Sequence, residues 1–430
     1  MSLFISLAVA LMAGLLLTRL TNIFKLPDVT AYLIAGLLIG PFFLGRVGLD
    51  GLGFTDYESI EQLSLISDLA LGFIAFAIGT EFMLPKLKKI GRQAVTVGII
   101  QAVVASAFVW VSLIILYFIM PDKISLPAAI VLGAVASATA PAATLMVVRQ
   151  FKASGPVTDI LLPVVALDDA VGLVIFAIAM GVARGIKGGD IDFVSIAINP
   201  IIEIIASLVL GALLGYALTL IERFFHSNTN RLILIIGMTI LAVALSKMEI
   251  EMGAVKLSFS SLLVCMMLGT VFCNTCPLAE DLMDISEKWT SPLYCLFFVL
   301  SGAELRLDVF SDLTIVLIGV VYVVFRAGGK YFGAAFSSRA TGCDSNIVKY
   351  LGITLFPQAG VALGMSLQAA ELLGEDGSLI RTITLFSVLI YELIGPTLTK
   401  IALTKAGDIK PKSIEATNRR KRKLIEASHK

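Results

Sequence analysis

The sequence is poor in charged residues and in histidine. Asp, Glu, Lys and Arg make up 15% of its 430 residues, against about 25% in soluble domains, and only two residues are histidine. This shortage excludes a soluble enzyme core, a disordered chain, a coiled coil and, with a net charge of +1, a nucleic-acid-binding module. Hydrophobic residues instead reach 57%. Most of the chain is therefore predicted to lie in lipid.

Cysteine and histidine do not form a recognisable metal-binding pattern. Cys273 and Cys276 make a lone CxxC, with no second pair and no neighbouring histidine. His226 lies among polar residues of a connection, and His429 lies in the basic end of the chain. Neither histidine falls inside an apolar run. The sequence therefore predicts no bound cofactor and no resident metal of this type.

The apolar residues are gathered into runs of roughly 20 residues, the length that crosses about 30 Å of hydrocarbon as a helix. Strands of a membrane β-barrel would be shorter and would alternate in polarity. The sequence predicts an all-α polytopic membrane protein with about thirteen transmembrane helices. The runs lie near residues 3–20, 28–44, 62–80, 93–120, 126–148, 157–183, 196–221, 231–247, 253–272, 290–304, 312–337, 346–370 and 379–404.

Lys and Arg are shared unevenly between the two sides of this arrangement. An odd number of helices places the termini on opposite sides, and the connections of odd ordinal number are richer in Lys and Arg than the even ones. The positive-inside rule then predicts an outside N-terminus and a cytoplasmic C-terminus. We assign residues 1–404 to a membrane domain and 405–430 to a basic cytoplasmic tail.

Two adjacent carboxylates are the most unusual feature of the apolar runs. Asp168 and Asp169 lie at the middle of the run 157–183. A charge at the centre of a membrane helix costs at least about 2.5–3.5 kcal/mol, so such residues are candidates for function. Adjacent positions point about 100° apart on a helix, so the two carboxylates cannot face one partner. One is expected to face a water-filled cavity and the other a countercharge.

Candidate countercharges lie in the run 312–337. Arg326 is near its centre, and Lys330 is one turn further on the same face. A lysine can extend toward the membrane surface, whereas Arg326 is too deep to do so. We therefore predict that Arg326 neutralises a buried acid, with Lys330 as the second candidate. A third embedded acid, Glu392, could serve either helix packing or transport.

Two apolar runs, 126–148 and 346–370, are interrupted at their centres. A proline inside a helix removes a backbone hydrogen bond, and lipid tolerates the freed carbonyls only where they line a cavity or bind an ion. Interruptions at corresponding places in two halves indicate a transporter built from inverted repeats, with its site at the midplane. The interrupting residues are Ser137, Thr139, Pro141 and Thr144 in the first run, and Pro357, Gln358 and Gly360 in the second.

Several segments, in this order, resemble the cation:proton antiporter superfamily, in particular its NapA-like and KefB/KefC-like branch. They read PDVTAYLIAGLLIGP, GAVASATAPAATLMVVRQ, ALDDAVGLVIF, FFVLSGAELRLD and FRAGGKYFGA. The resemblance implies a NapA/NhaA-like fold, a homodimer and a mobile core domain, which we place at about 62–183 and 290–404. The remaining helices would form the dimerisation scaffold. The nucleotide-binding domain of KefC-like members is not expected.

The resemblance also assigns roles to individual residues. Asp169 would be the main ion- and proton-binding carboxylate, and Asp168 its partner, paired with a base on the Arg326 helix. The unwound crossings would be Thr139, Ala140 and Pro141 in the first broken helix, and Pro357 with Gln358 in the second. The chain departs from many relatives at Gln358–Val361, which reads QAGV where they carry Arg or Glu.

These residues predict exchange of a monovalent cation, Na⁺ first and Li⁺ or K⁺ otherwise, for H⁺. A proton and a cation would compete for Asp169, and hydroxyls of Ser137 or Thr139 would complete the oxygen shell. Arginine effectively cannot release its proton, so a pairing with Arg326 predicts one proton per cation, whereas Lys330 as partner allows two.

Three other functions compete with this reading: a K⁺-selective efflux antiporter, a cation channel and a membrane-embedded enzyme or sensor. No filter sequence supports the channel, and intramembrane proteases use acids on different helices. We expect a transporter, not an enzyme, in the plasma (inner) membrane of a prokaryote.

Overall fold

A computed structural model describes residues 3–24, 26–47, 53–80, 82–187, 199–248, 250–252, 255–305, 307 and 312–410. Nearly all of these residues are helical. In the first half the helices are α1 (Leu3–Ile23), α2 (Asp28–Ile39), α3 (Tyr57–Glu61), α4 (Ser64–Thr80), α5 (Leu84–Ile119), α6 (Leu126–Val135), α7 (Pro141–Gln150), α8 (Pro156–Ile186) and α9 (Asn199–Glu222). A 3₁₀ turn covers Leu44–Val47.

The second half continues this pattern. Its helices are α10 (Asn228–Ser246), α11 (Ser261–Thr275), α12 (Ala279–Glu304), α13 (Leu313–Ala340), α14 (Ser345–Thr354), α15 (Gly360–Leu373) and α16 (Glu375–Ala406). Within the described residues, eight helices are long and apolar enough to cross a membrane, and four shorter helices are also apolar. The predicted all-α membrane fold is confirmed.

Helix starts follow the local sequence. Ser125 precedes α6 and its hydroxyl accepts a hydrogen bond from the Ala128 amide at 3.1 Å. Asp312 caps α13 in the same way through the Thr314 amide at 2.8 Å. These caps satisfy amides that the first helical turn leaves without partners. Proline occupies the first turn of α5, α6, α7 and α8, where its missing N–H costs nothing.

Two crossings are broken helices, as the interrupted runs predict. The chain leaves helix after Val135 and resumes at Pro141, and it does so again between Thr354 and Gly360. The two breaks touch each other, because the Ala140 amide donates to the Pro357 carbonyl at 2.8 Å. If each broken pair counts as one crossing and the five-residue α3 is set aside, the described helices make thirteen crossings.

Two predicted boundaries are wrong. Within the described part of the run 253–272, Val255–Leu257 is a short strand that pairs antiparallel with Ile250–Met252, and α11 starts only at Ser261. The hydroxyl of Ser260 caps this start by accepting a hydrogen bond from the Leu263 amide. Serine is favoured at the N-terminus of a helix because its side chain can bond to the nearby backbone. The predicted run 290–304 begins too late, because α12 already starts at Ala279. The first turns of this helix are polar, so a search for apolar residues does not detect them.

Helices α5 and α13 pack unusually closely. Gly329 and Gly333 of α13 form a GxxxG spacing on this face, and a Cβ at Gly329 would lie 2.6 Å from the Cα of Ala105. A Cβ at Gly333 would lie 2.9 Å from the Cα of Gln101. Small residues allow such an approach of two membrane helices. Residues 411–430, most of the predicted basic tail, lie outside the described residues.

Candidate functional site

Helix α8 carries both acidic residues near its middle. Asp168 is 0% exposed and Asp169 is 2% exposed. The helix runs without interruption from Pro156 to Ile186, with Pro163 inside it. Because the flanking turns are apolar, the two carboxylates lie deep in the part of the protein that crosses the membrane.

Among the described residues, three donors from three different segments bind Asp168. The Lys330 ammonium on α13 lies 2.8 Å from its Oδ2. The Thr139 hydroxyl, in the first helix break, donates to the same oxygen at 2.5 Å. The Gln101 amide on α5 donates to Oδ1. A buried carboxylate with this many donors is compensated as an anion.

Lys330 joins this carboxylate to the first break. Its ammonium also donates to the Ser137 carbonyl at 2.5 Å and to the Thr139 hydroxyl oxygen at 2.9 Å. The side chain is 0% exposed. Lys330 therefore uses all three of its donors inside the protein.

The expectation that Arg326 neutralises a buried acid is wrong. Its guanidinium donates instead to three backbone carbonyls, those of Ala136 at 3.0 Å, Ala138 at 2.5 Å and Phe356 at 2.8 Å. These carbonyls follow the C-terminal ends of α6 and α14, where a helix leaves acceptors without partners and carries partial negative charge. Arg326 therefore stabilises both breaks, and it also lies over the Tyr391 ring at 4.5 Å.

Gln358 completes the second break with neutral hydrogen bonds. Its amide nitrogen donates to the Val135 carbonyl and contacts the Tyr322 hydroxyl, both at 3.0 Å. The Ser387 hydroxyl donates to its Oε1 at 2.7 Å. Gln358 thus ties the second break to the end of α6 without a charge.

Asp169 differs sharply from its neighbour. Within the described residues, neither of its carboxylate oxygens accepts a hydrogen bond. An ionised carboxylate in such surroundings is costly unless a proton or a cation compensates its charge. Asp168 is therefore an anion whose charge is compensated by its donors, whereas the oxygens of Asp169 have no hydrogen-bond donor among the described residues.

The other predicted residues lie at varying distances from this pair. The Ser137 hydroxyl donates to the Ala134 carbonyl at 2.7 Å, while its own carbonyl holds Lys330. Pro141 begins α7. Glu392 on α16 is 3% exposed, and Glu304 at the end of α12 is a charged neighbour of it. The hydrogen bonds that the described residues make to Asp168 do not involve Glu392.

Gln101 was not predicted from the sequence. It is an amide inside the run 93–120, near the middle of α5, and is 0% exposed. A buried side chain with both a donor and an acceptor in an apolar run is costly unless it has a partner, and this could have identified it. Its partner, on a helix distant in sequence, could not be read from spacing.

The chain is similar in sequence to known membrane transporters. The family model described as "Sodium/hydrogen exchanger, transmembrane" matches residues 7–405. The Na⁺/H⁺ antiporter NhaS4 of Synechocystis sp. is 26% identical over 412 residues, covering 92% of this chain and 95% of that protein. The K⁺/H⁺ antiporter subunit KhtU of Bacillus subtilis is 21% identical and covers 89% of each chain.

A solved structure has the same fold. The sodium proton antiporter MjNhaP1 of Methanocaldococcus jannaschii superposes with a TM-score of 0.66 and covers 93% of this chain and 97% of its own. Its sequence identity is 17%.

Proposed function

We propose that this chain, a membrane cation/proton antiporter that belongs to the transmembrane sodium/hydrogen exchanger family, exchanges Na⁺ for H⁺ through competition at Asp169. Asp168 is its permanently hydrogen-bonded partner. The relatives named above include both a Na⁺/H⁺ and a K⁺/H⁺ antiporter, so K⁺ is the alternative cation.

The difference between the two acids carries this proposal. Asp168 accepts hydrogen bonds from Lys330, Thr139 and Gln101, whereas neither oxygen of Asp169 has a partner among the described residues. A proton and a hard cation both require these oxygens, so one displaces the other. Carboxylate, hydroxyl and carbonyl oxygens are the donors that such a cation prefers.

Exchange follows if only the occupied site changes its access from one side of the membrane to the other. An ionised and unoccupied Asp169 would oppose that change, because a bare charge would have to move through a dry interior. The two broken helices meet beside the site. Their non-helical backbone is tolerated there because it is buried in protein, and broken helices of this kind form the ion sites of secondary transporters. The gradient of one ion then drives the movement of the other in the opposite direction.

Lys330 makes a second proton available. Lysine can lose its proton in a buried site, whereas arginine effectively cannot. With Lys330 on Asp168 and Arg326 on the backbone, we favour two protons per Na⁺, and the exchange would then move net charge. This replaces the electroneutral exchange expected for an Arg326 pairing.

Assembly and orientation complete the proposal. We place the protein in the plasma membrane of a prokaryote as a homodimer, with the C-terminus in the cytoplasm. Helices within 62–183 and 290–404 form the mobile core, and the remaining helices form the scaffold.

Inverted membrane vesicles test the proposed function. Recovery of a quenched pH dye is followed after addition of Na⁺, then K⁺ and Li⁺, for the wild type, Asp169→Asn and Asp68→Asn. Asp68 is the matched control, because this acid is paired with Lys247 at a partly exposed helix end. We expect Asp169→Asn alone to lose cation-driven proton movement. Undiminished transport by Asp169→Asn contradicts the proposal.

A further inference from the structure

Gln101 lies where two helices converge on the acidic pair. The close packing of α5 against Gly329 and Gly333 of α13 places Gln101 and Lys330 on opposite sides of Asp168. Gln101 is 0% exposed. Its position is therefore set by the backbone approach of these helices and by its own hydrogen bonds.

Those hydrogen bonds determine how the amide is oriented. Its nitrogen donates to the Gly98 carbonyl at 2.9 Å and to Oδ1 of Asp168. Both neighbours are acceptors, so a reversed amide would bring oxygen against oxygen at two places. The Oε1 atom has no partner among the described residues. Gln101 accordingly uses both amide hydrogens and accepts the cost of an unpaired oxygen.

The donors on Asp168 are divided between its two oxygens. Lys330 and Thr139 both bind Oδ2, whereas the hydrogen bond that the described residues make to Oδ1 comes from Gln101. Thr139 and Gln101 are neutral and keep their hydrogens throughout a transport cycle. Lys330 is the donor on Asp168 whose charge can change, and the other charges that act on Lys330 are those of Asp169 and Arg326.

We propose that Gln101 is a positioning residue that keeps Asp168 ionised and fixed in orientation when Lys330 gives up its proton. This inference rests on the proposed function, because it concerns the proton that Lys330 contributes. Without Gln101, the donors that the described residues leave on the carboxylate once Lys330 becomes neutral are the Thr139 hydroxyl and the weaker N–H groups of the uncharged amine. Asp168 would then hold a proton more readily, and release by the pair would require a higher pH.

Two variants remove this donor while keeping the size of the side chain. Gln101→Met has no polar group, and Gln101→Glu replaces the amide by a second acid. The control is Ser112→Ala on the same helix, since Ser112 is also buried and its hydroxyl donates to the Val109 carbonyl one turn away. Each protein is assayed for Na⁺-driven proton movement across a range of pH.

We expect the pH of half-maximal transport to rise by about one unit in Gln101→Met, a tenfold change in proton affinity, and at least as much in Gln101→Glu. Ser112→Ala should keep the wild-type profile. A lowered rate with an unshifted profile would mean that Gln101 only packs, and this result in the variants recovered overturns the inference. Gln101→Glu provides the readout if Gln101→Met does not reach the membrane.

The same experiment separates this inference from the proposed function. Asp169→Asn is measured in parallel. If it abolishes transport while the Gln101 variants keep the wild-type profile, the inference about Gln101 alone is wrong. If Asp169→Asn transports like the wild type, the proposed function itself is wrong.

Discussion

Replacing Lys330 by methionine tests the pairing that the structure assigns to Asp168. The two side chains are both 0% exposed, and their charged atoms are 2.8 Å apart. Removing one partner of a buried ion pair leaves the other charge uncompensated, which costs about 3–5 kcal/mol. The Thr139 hydroxyl and the Gln101 amide remain on Asp168, so we expect Lys330→Met to fall near the lower end of that range.

The double variant Asp168→Asn/Lys330→Met provides the decisive comparison. It removes both charges. The oxygen of the amide introduced at position 168 still accepts from Gln101, and the nitrogen of that amide can donate to the Thr139 hydroxyl oxygen that Lys330 no longer occupies. We therefore expect the double variant to recover at least half of the loss. The energetic coupling between the two positions should then be about 2 kcal/mol or more.

Thermal unfolding in detergent of Lys330→Met, Asp168→Asn and the double variant measures this coupling. With about 2.1 cal/mol/K of unfolding entropy per residue over 430 residues, the single variant should melt about 3–5 °C below the wild type. Equal losses in the single and double variants, or additive losses from the two substitutions, would refute the pairing.

Lys330→Met also tests the number of protons. In proteoliposomes with a Na⁺ gradient, the wild type should generate a membrane potential, and the variant should exchange with little or none. Generation of the same potential per Na⁺ by both proteins would contradict a proton carried by Lys330.

Two further predictions concern the framework around the acids. Gly329→Ala should destabilise the protein by about 1–3 kcal/mol and lower transport, because its Cβ would lie 2.6 Å from the Cα of Ala105. The control is Gly328→Ala, whose Cβ would meet a Phe108 ring atom at an ordinary 3.7 Å. Equal effects of the two variants on melting and transport would contradict the close packing of α5 and α13. Asp408→Ala should lower the free energy of unfolding by about 1–2 kcal/mol, because Oδ2 of Asp408 accepts hydrogen bonds from the amide and hydroxyl of Thr158 at 2.7 and 2.8 Å at the start of α8. Asp408→Asn keeps an acceptor and should lose less stability in the same melting assay. A larger loss in Asp408→Asn than in Asp408→Ala would exclude capping by Asp408.

The main features of the site could be predicted because each is costly in a membrane helix. Asp168 and Asp169 are found in the middle of α8, and the breaks occur beside Pro141 and Pro357. Acids and prolines are expensive in lipid wherever they occur, so their position along an apolar run is informative without knowledge of the partner.

The choice between Arg326 and Lys330 required the structure. The two residues lie four positions apart on one face of α13, so periodicity points both toward the same interior and leaves about 6 Å between them along the axis. What separates them is the position of the helix breaks. The carbonyls that follow α6 and α14 surround Arg326, and Lys330, one turn further on, reaches Asp168.

Gln101 and the strand pair Ile250–Met252 and Val255–Leu257 were missed for a different reason. The partner of Gln101 lies on another helix, and which helix faces which is not contained in one sequence. The second strand lies in a stretch whose apolar residues meet the criterion for a membrane run, although its Val255 and Leu257 pair with Met252 and Ile250.

The central claim is that H⁺ and a monovalent cation compete for the Asp169 carboxylate. The most direct measurement is the dependence of transport on Na⁺ concentration at several fixed pH values in proteoliposomes, with Asp169→Asn as the reference. Competition predicts that the Na⁺ concentration for half-maximal rate rises at least about tenfold for each unit of acidification below the pH at which Asp169 deprotonates, and more steeply where Lys330 is also protonated. The maximal rate should not change, and Asp169→Asn should be inactive. A half-maximal concentration that does not depend on pH, or transport that survives in Asp169→Asn, would contradict the claim.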